Sequence, residues 1–345
     1  MRAFFVTGLC LLFLVSPFGQ AAGAGAPSGA SPRRILHIMS FDSPWRWTDG
    51  QFAGFKEGLG NVDAEYRVFQ MDVKRNSSRE AKESKGLEAR ALIDAWKPDL
   101  VYASDDDAQD IVTRHYAGKT LPFVFSGVNK GLKDHGIEGA ANVTGVLEQE
   151  HFVQSVNLLR AIAPQVKRLA VISDEGAHWA PVIERIRAGM SQLPDSTLVA
   201  VDRVKTFDAF KAKVRAYQGS ADAVVYLGIF ALAGDDGGNV PYQTVQRWVC
   251  ENSRLPDASF WIDRVHFGVL ASVTVSEREQ GLAAGRLARA ILVDGRSPGS
   301  LAIRPTVIGH PAINLARARQ LGIRVKSTQL LASEVIPDFE WRKTK

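Results

Sequence analysis

The residues with most capacity for chemistry fall in short polar stretches that directly follow apolar runs. Ser40-Phe41-Asp42-Ser43-Pro44-Trp45-Arg46-Trp47-Thr48 holds two tryptophans beside polar groups. An indole offers a flat face to an aromatic or cationic ligand, and Ser40 and Asp42 can fix polar ends. The alternative is a capped loop whose tryptophans pack locally. Ser104-Asp105-Asp106-Asp107 presents three consecutive acids. Their side chains diverge and their spacing does not match a calcium loop, so a metal site is not expected. Acids at a helix start answer the unpaired N–H groups and the positive dipole end, which accounts for at least one of them. Asp105 or Asp106 is then left to meet a ligand ammonium group.

Ser126-Gly127-Val128-Asn129 combines a glycine that lets the backbone approach a ligand with polar donors and acceptors; a simple turn explains it equally well. In the second half, Ser173-Asp174-Glu175-Gly176, Gly228-Ile229-Phe230 and Asp263, after Trp261-Ile262, occupy similar places. Asp235-Asp236-Gly237-Gly238 reads as a solvated turn. Enzyme signatures are lacking: there is no Gly-x-Ser-x-Gly elbow, phosphate loop or zinc-type histidine spacing. His115, His135 and His151 have no evident partners and read as surface or helix-end residues. Cys250 falls in an expected helix without an activating neighbour. No catalytic residue, metal or cofactor is expected.

The elements that position these stretches follow from hydrophobic periodicity. Compact apolar runs predict strands over 35–39, 66–71, 100–103 and 123–125, then over 169–172, 198–204, 223–227, 259–262, 269–275 and 301–308. Between them, helices are expected from Thr48, where Thr48 and Gln51 fit a capping box with Phe52, Phe55 and Leu59 on one face. Others are expected over 79–96, with Leu87, Ala91 and Ala95 lining one side, and over 108–116, 148–162, 180–190, 207–217, 242–251, 277–292 and 312–321. Strands separated by helices imply parallel βαβ units with right-handed crossovers. Two successive runs imply an α/β protein of two doubly wound parallel-sheet lobes, with a first crossing near 142–145. In such sheets ligands bind outside the carboxyl ends of the strands, where the polar stretches lie.

The bulk properties agree. The chain has 345 residues, 46% of them hydrophobic and 23% charged, enough for two medium domains. Arg2, the apolar run 4–18 and the small residues 20–26 have the layout of a secretory signal peptide over 1–26, cleaved between Ala21 and Ala26 and followed by a linker over 27–32. Cys10 would leave with it, and Cys250 alone cannot form an internal disulfide, so the core must hold the fold. The formal charge of +5 is scattered and shows no aromatic-interleaved basic stripe, so no nucleic-acid partner is expected.

Several stretches together resemble the ABC-transporter substrate-binding proteins of the type I periplasmic-binding fold, in the group of tryptophan- and tyrosine-type binders. They are ILHIMSFDSPWRWTDG (35–50), PDLVYASDDDA (98–108), LPFVFSGVN (121–129), NVTGV (142–146), GVLASVTV (268–275), AILVDG (290–295) and INLARARQLGIRVKSTQLLASEVI (313–336). The resemblance implies three chain crossings between the lobes, with lobe one over 33–145 and 268–304 and lobe two over 146–267 and 305–345. It implies contacts from Ser40, Phe41, Trp45 or Trp47, Asp105 and Ser126 to Asn129, including Gly127 and Val128, on lobe one. Ser173, Asp174, Gly228 and Asp263 are their counterparts on lobe two. It also implies a periplasmic monomer that delivers a small ligand, amino acid-like or aromatic, to an ABC permease. The Pro-Trp-Arg-Trp loop departs from the tryptophan binders and looks nearer to relatives resembling sensing domains of two-component receptors. An accessory to a membrane sensor and an exported enzyme on the same lobes are the alternatives.

Overall fold

The computed structural model describes Met1, residues 31–75 and residues 77–343. The expected signal peptide, its cleavage site, Cys10 and most of the linker lie outside the described residues. From Arg33 the chain runs β1 (Arg33–Met39), α1 (Arg46–Leu59), β2 (Ala64–Gln70), α2 (Arg79–Trp96), β3 (Leu100–Ser104), α3 (Asp105–Ile111), β4 (Phe123–Val128) and β5 (Val143–Leu147). It continues through α4 (Phe152–Ile162), β6 (Arg168–Asp174), α5 (Trp179–Gly189), β7 (Thr197–Val204), α6 (Phe207–Ser220), β8 (Ala223–Tyr226), α7 (Tyr242–Asn252), β9 (Asp257–Ala258) and α8 (Ile262–His266). Last come β10 (Ala271–Val275), α9 (Glu277–Leu292), β11 (Arg304–Pro305), β12 (Gly309–Asn314), α10 (Leu315–Gln320), α11 (Ser327–Leu331), β13 (Glu334–Ile336) and α12 (Glu340–Lys343).

These strands build two sheets. The first has the order β11-β5-β4-β3-β1-β2, with every pair parallel. The second has the order β13-β12-β10-β9-β8-β6-β7, parallel except where β10 meets β12. Each sheet is covered on both faces by apolar clusters, and its central strands are buried along their whole length, as β3, β4 and β8 show. The doubly wound two-lobed α/β fold expected from the periodicity is therefore present.

Three segments cross between lobes: residues 148–151, Ser276 and residues 306–308. The strand expected over 269–275 pairs in the second sheet, so the chain returns to lobe one at Ser276 and not near Gly268. There the Ser276 hydroxyl accepts from Glu279 N and caps α9. Likewise β5 carries the first lobe to Leu147, and residues 148–151 are a crossing rather than the first turn of α4. Of the strand expected over 301–308 only Arg304–Pro305 pairs, as β11 in the first sheet; β12 follows it in the second and takes the first residues of the helix expected from 312, which starts at Leu315. The strand expected over 259–262 is replaced by β9 and the start of α8. Ser259 N donates to Ser272 Oγ and Ser259 Oγ to the Tyr226 carbonyl, so side chains take up the ladder partners.

Local capping also differs from expectation. α1 starts at Arg46, with Trp45 as N-cap. The cap is made by Asp49, whose carboxylate accepts from Trp45 N at 3.0 Å and Ser43 Oγ at 2.6 Å, while Thr48 and Gln51 lie buried inside the helix. On α2 the buried face is Gly86, Ala89, Ile93 and Trp96, one step from the stripe expected, and Leu87 is exposed. α1 packs closely on α9: a methyl group at Gly54 or Gly58 would collide with the carbonyls of Arg278 and Leu282. This contact fixes the helix that carries the Trp45–Trp47 loop.

Candidate ligand cleft

The loops at the carboxyl ends of the strands in both sheets converge on a cavity of about 360 Å³, within the range of small-molecule sites. Phe41, Trp45, Trp47, Asp105, Asp106, Gly127 and Asn129 line it from the first lobe and Asp174 from the second. Of the four residues expected on the second lobe, Asp174 alone is among the lining.

Asp105 sits at the start of α3 with φ 67°, a left-handed conformation that costs a non-glycine residue energy and is kept here at the cleft wall. Its Oδ1 accepts the Trp47 indole N–H at 2.7 Å, and Gln51 Nε2 approaches Oδ2 at 3.3 Å. Gly127, with φ 71°, leaves the room: a Cβ there would lie 2.6 Å from Asp105 Oδ1. Burial, reinforced by the neighbouring Asp106 charge, pushes the Asp105 carboxyl up to about 7, against the hydrogen bond from Trp47.

Asp106 behaves oppositely. Burial alone would raise it, but its oxygens accept from Lys130 N at 2.9 Å, Asn129 N at 3.2 Å and His135 Nε2 at 2.9 Å, and its carboxyl is held below the ordinary range. His135 is fully buried between Asp106 and Asp110, which lies 2.7 Å from Nδ1. The expectation of a surface histidine fails there: burial opposes its charge, but the two carboxylates hold it above the ordinary imidazole range. His151 is also buried, as N-cap of α4, whereas His115 is exposed at a helix end.

On the second lobe, Asp174 accepts four N–H groups: Gly176 N, the Trp179 indole, Phe230 N and Ala231 N, all within 3.1 Å. Trp179 and Trp261 meet edge to face at 5.6 Å and form an aromatic wall opposite Trp45 and Trp47. Glu148, on the first crossing, accepts from the Trp261 indole at 2.8 Å and from Asn129 Nδ2 at 3.2 Å. It joins the lobes, and burial together with Glu150 holds its carboxyl well above the usual range. Arg185 of α5 grips Glu150 and donates to the Asn129 carbonyl at 3.1 Å. Asn239 Nδ2 of lobe two donates to the Lys74 carbonyl of lobe one at 2.9 Å. The lobes are thus in contact across the cleft.

Other expected contacts support the wall without forming it. Ser40 Oγ ties the Ser104 carbonyl to Ala108 N. Asp42 pairs with Arg75 at 2.7 Å. Ser126 bonds Tyr102 and Gln51, Val128 is core, and Ser173 Oγ donates to the Asp174 carbonyl. Gly228 lies against the Trp179 ring, where no Cβ would fit, and Asp263 is in the first turn of α8, off the wall. Cys250 is a free, buried thiol, pushed up to about 12 by burial. The sequence reading does not reach Lys74 or Trp179, both on the wall. Lys74 follows the second strand, where the strand-end rule would have found it.

The sequence from residue 35 to 336 matches the family model of the ABC transporter substrate binding proteins. Three solved structures share the fold. A Streptococcus pneumoniae ABC domain in complex with L-Trp is 19% identical, with TM-score 0.66 over 89% of this chain and 100% of that one. A conserved domain protein from Vibrio cholerae is 17% identical, with TM-score 0.69 over 89% and 100%. A ligand-free, open substrate binding protein with adhesive properties from Clostridium difficile is 16% identical, with TM-score 0.64 over 88% and 99%. Among curated proteins the sequence finds no match. With two parallel-sheet lobes facing one cavity and a family match across both, the chain belongs to the ABC transporter substrate-binding proteins, a family of ligand carriers rather than enzymes.

Proposed function

We propose that the protein works outside the cytoplasmic membrane, after losing its signal peptide, as a monomer that captures an amino acid-like or aromatic molecule and presents it to an ABC permease. The observation that carries this reading is the pairing of an underused acid with aromatic walls. Asp105 is buried with one weakly bonded oxygen, and Trp45, Trp47, Trp179 and Trp261 surround the same cavity. Planar apolar faces suit an aromatic body, and the acid suits an ammonium group. The L-Trp in the Streptococcus pneumoniae relative supports the same class.

Closure follows from the division of the wall between lobes: a ligand bridging both stabilises only the form in which both are near. Mass spectrometry of the molecule that co-purifies tests the ligand class, and an aromatic or amino acid-like mass is expected. Solution scattering on emptied and L-tryptophan-loaded protein is expected to show compaction; equal dimensions at saturation would count against closure. The mass of protein recovered from the periplasm is expected to fit cleavage between Ala21 and Ala26.

A further inference from the structure

We propose that Lys74 is the specificity-determining cation of the cleft: it receives an acidic group of the ligand and so selects aromatic acids over aromatic amines. The proposal rests on the reading of the cavity as a ligand site and adds a residue and a charge requirement to it.

Lys74 lies in the loop after β2 and lines the cavity. Its Nζ stands over the ring of Trp45, 4.7 Å from the ring centres of Phe41 and Phe230 and 5.9 Å from that of Tyr242. Phe41 and Trp45 belong to one lobe, and Phe230 and Tyr242 to the other. Ring faces attract a cation but accept no conventional hydrogen bond, and an ammonium carries three donors. Among the described residues, Nζ has no hydrogen-bond acceptor and no carboxylate at ion-pair distance. The acids whose fields reach it are Asp263, Asp42 and Asp105. Asp42 is paired with Arg75, and Asp105 is held by Trp47 and Gln51.

A second cation compounds the imbalance. The guanidinium of Arg264 lies over the same two rings, 4.3 Å from the centre of Phe230 and 4.8 Å from that of Tyr242. Arg264 is 1% exposed, and none of its three guanidinium nitrogens has a partner among the described residues. Two cations thus share two aromatic rings; the Asp263 carboxylate, whose field reaches both, makes no ion pair with either among the described residues, so neither has a directly bonded anion, an arrangement expensive to bury. Burial, with Arg264 adding to it, holds the Lys74 amine well below the ordinary lysine range even against those acids. A ligand carboxylate meeting Nζ supplies the missing hydrogen-bond acceptor and draws the amine to its charged form, whereas a ligand ammonium entering this cage finds no acceptor on Nζ and the Arg264 charge behind the same rings. Because Phe230 and Tyr242 cover Nζ only when the lobes meet, the acid group is fully enclosed only in the closed form.

Calorimetry with indole-3-propionate, tryptamine and L-tryptophan on wild type, Lys74→Met and Lys74→Arg tests this. Wild type is expected to prefer the two carboxylates to tryptamine. Lys74→Met is expected to weaken both carboxylates by about 10- to 100-fold while leaving tryptamine unchanged or tighter, and Lys74→Arg to retain most of the acid affinity. The melting temperature of empty Lys74→Met is expected to equal or exceed that of wild type, which separates lost recognition from lost folding. Acid affinity unchanged in Lys74→Met overturns the role of Lys74 and leaves the aromatic site standing. Failure of all three compounds to bind wild type overturns both.

Discussion

Asp105 and Asp174 stand at the carboxyl ends of parallel strands in different lobes, and each accepts a tryptophan indole N–H at 2.7 Å. What separates them is the rest of the carboxylate. Asp174 also receives Gly176 N, Phe230 N and Ala231 N, so both oxygens are committed to shaping the lobe-two wall. The second oxygen of Asp105 has only the Gln51 amide at 3.3 Å. The same residue type at the same place in the topology has both oxygens fully bonded in one lobe and one oxygen weakly bonded in the other, and the number of N–H donors aimed at it makes the difference. The sharpest way to break this contrast is Asp174→Ala. It strands four donors in a buried wall and is expected to lower the unfolding free energy by about 3–5 kcal/mol in urea titration. A loss below about 1 kcal/mol would remove the scaffold role.

The tryptophans divide similarly. Trp47 is 6% exposed and bonded to Asp105, so Trp47→Ala is expected to cost about 3–5 kcal/mol in the empty protein. Unchanged melting would show that this indole belongs to the ligand and not to the fold.

Asp105→Asn is expected to act with the opposite sign to Asp174→Ala. A carboxyl pushed up to about 7 in the folded protein, against 3.8 for an ordinary aspartate, binds a proton that the unfolded chain has released. Stability therefore falls as pH rises from about 4 to about 7, by on the order of a few kcal/mol. Asp105→Asn removes that slope and is more stable than wild type at pH 8, while binding of an ammonium-bearing ligand weakens. Urea titrations at pH 5 and pH 8 check it; parallel slopes for both proteins would mean that Asp105 is ionised throughout.

The alternation of strands and helices was legible because each sheet needs continuous apolar strands and each crossover an amphipathic helix. Which sheet a strand joins was not. Residues 271–275 read as a buried strand whichever lobe holds them, and only pairing with β12 assigns them. The difference between Asp105 and Asp174 was equally hidden, since Phe230 N and Ala231 N come from 56 and 57 residues downstream. Lys74 reads locally as one more charge in a polar loop; the folded chain gathers four rings around it. Trp45 and Trp47 were legible as a pair, but helix phase alone separates them, one at the cap and one in the first turn.

That separation leads to the smallest expected effect. Trp45 is half-buried at the N-cap of α1, where the backbone is held by Asp49 rather than by the indole. Its ring meets Phe41 at 5.3 Å within its own lobe and Phe230 at 6.0 Å across the cleft. It also covers the Lys74 ammonium. Two of these partners, Phe41 and Lys74, are in its own lobe and Phe230 lies across the cleft, and the indole is part of neither buried core. Trp45→Ala is expected to leave the melting temperature of the empty protein nearly unchanged and to weaken L-tryptophan or the co-purifying ligand by about 1–3 kcal/mol. In the proposed closed form the indole meets Phe230 across the cleft, so the loss should come mainly from faster dissociation, readable by stopped flow. A slower association with unchanged dissociation would place Trp45 on the path into the cleft and not in its closed wall.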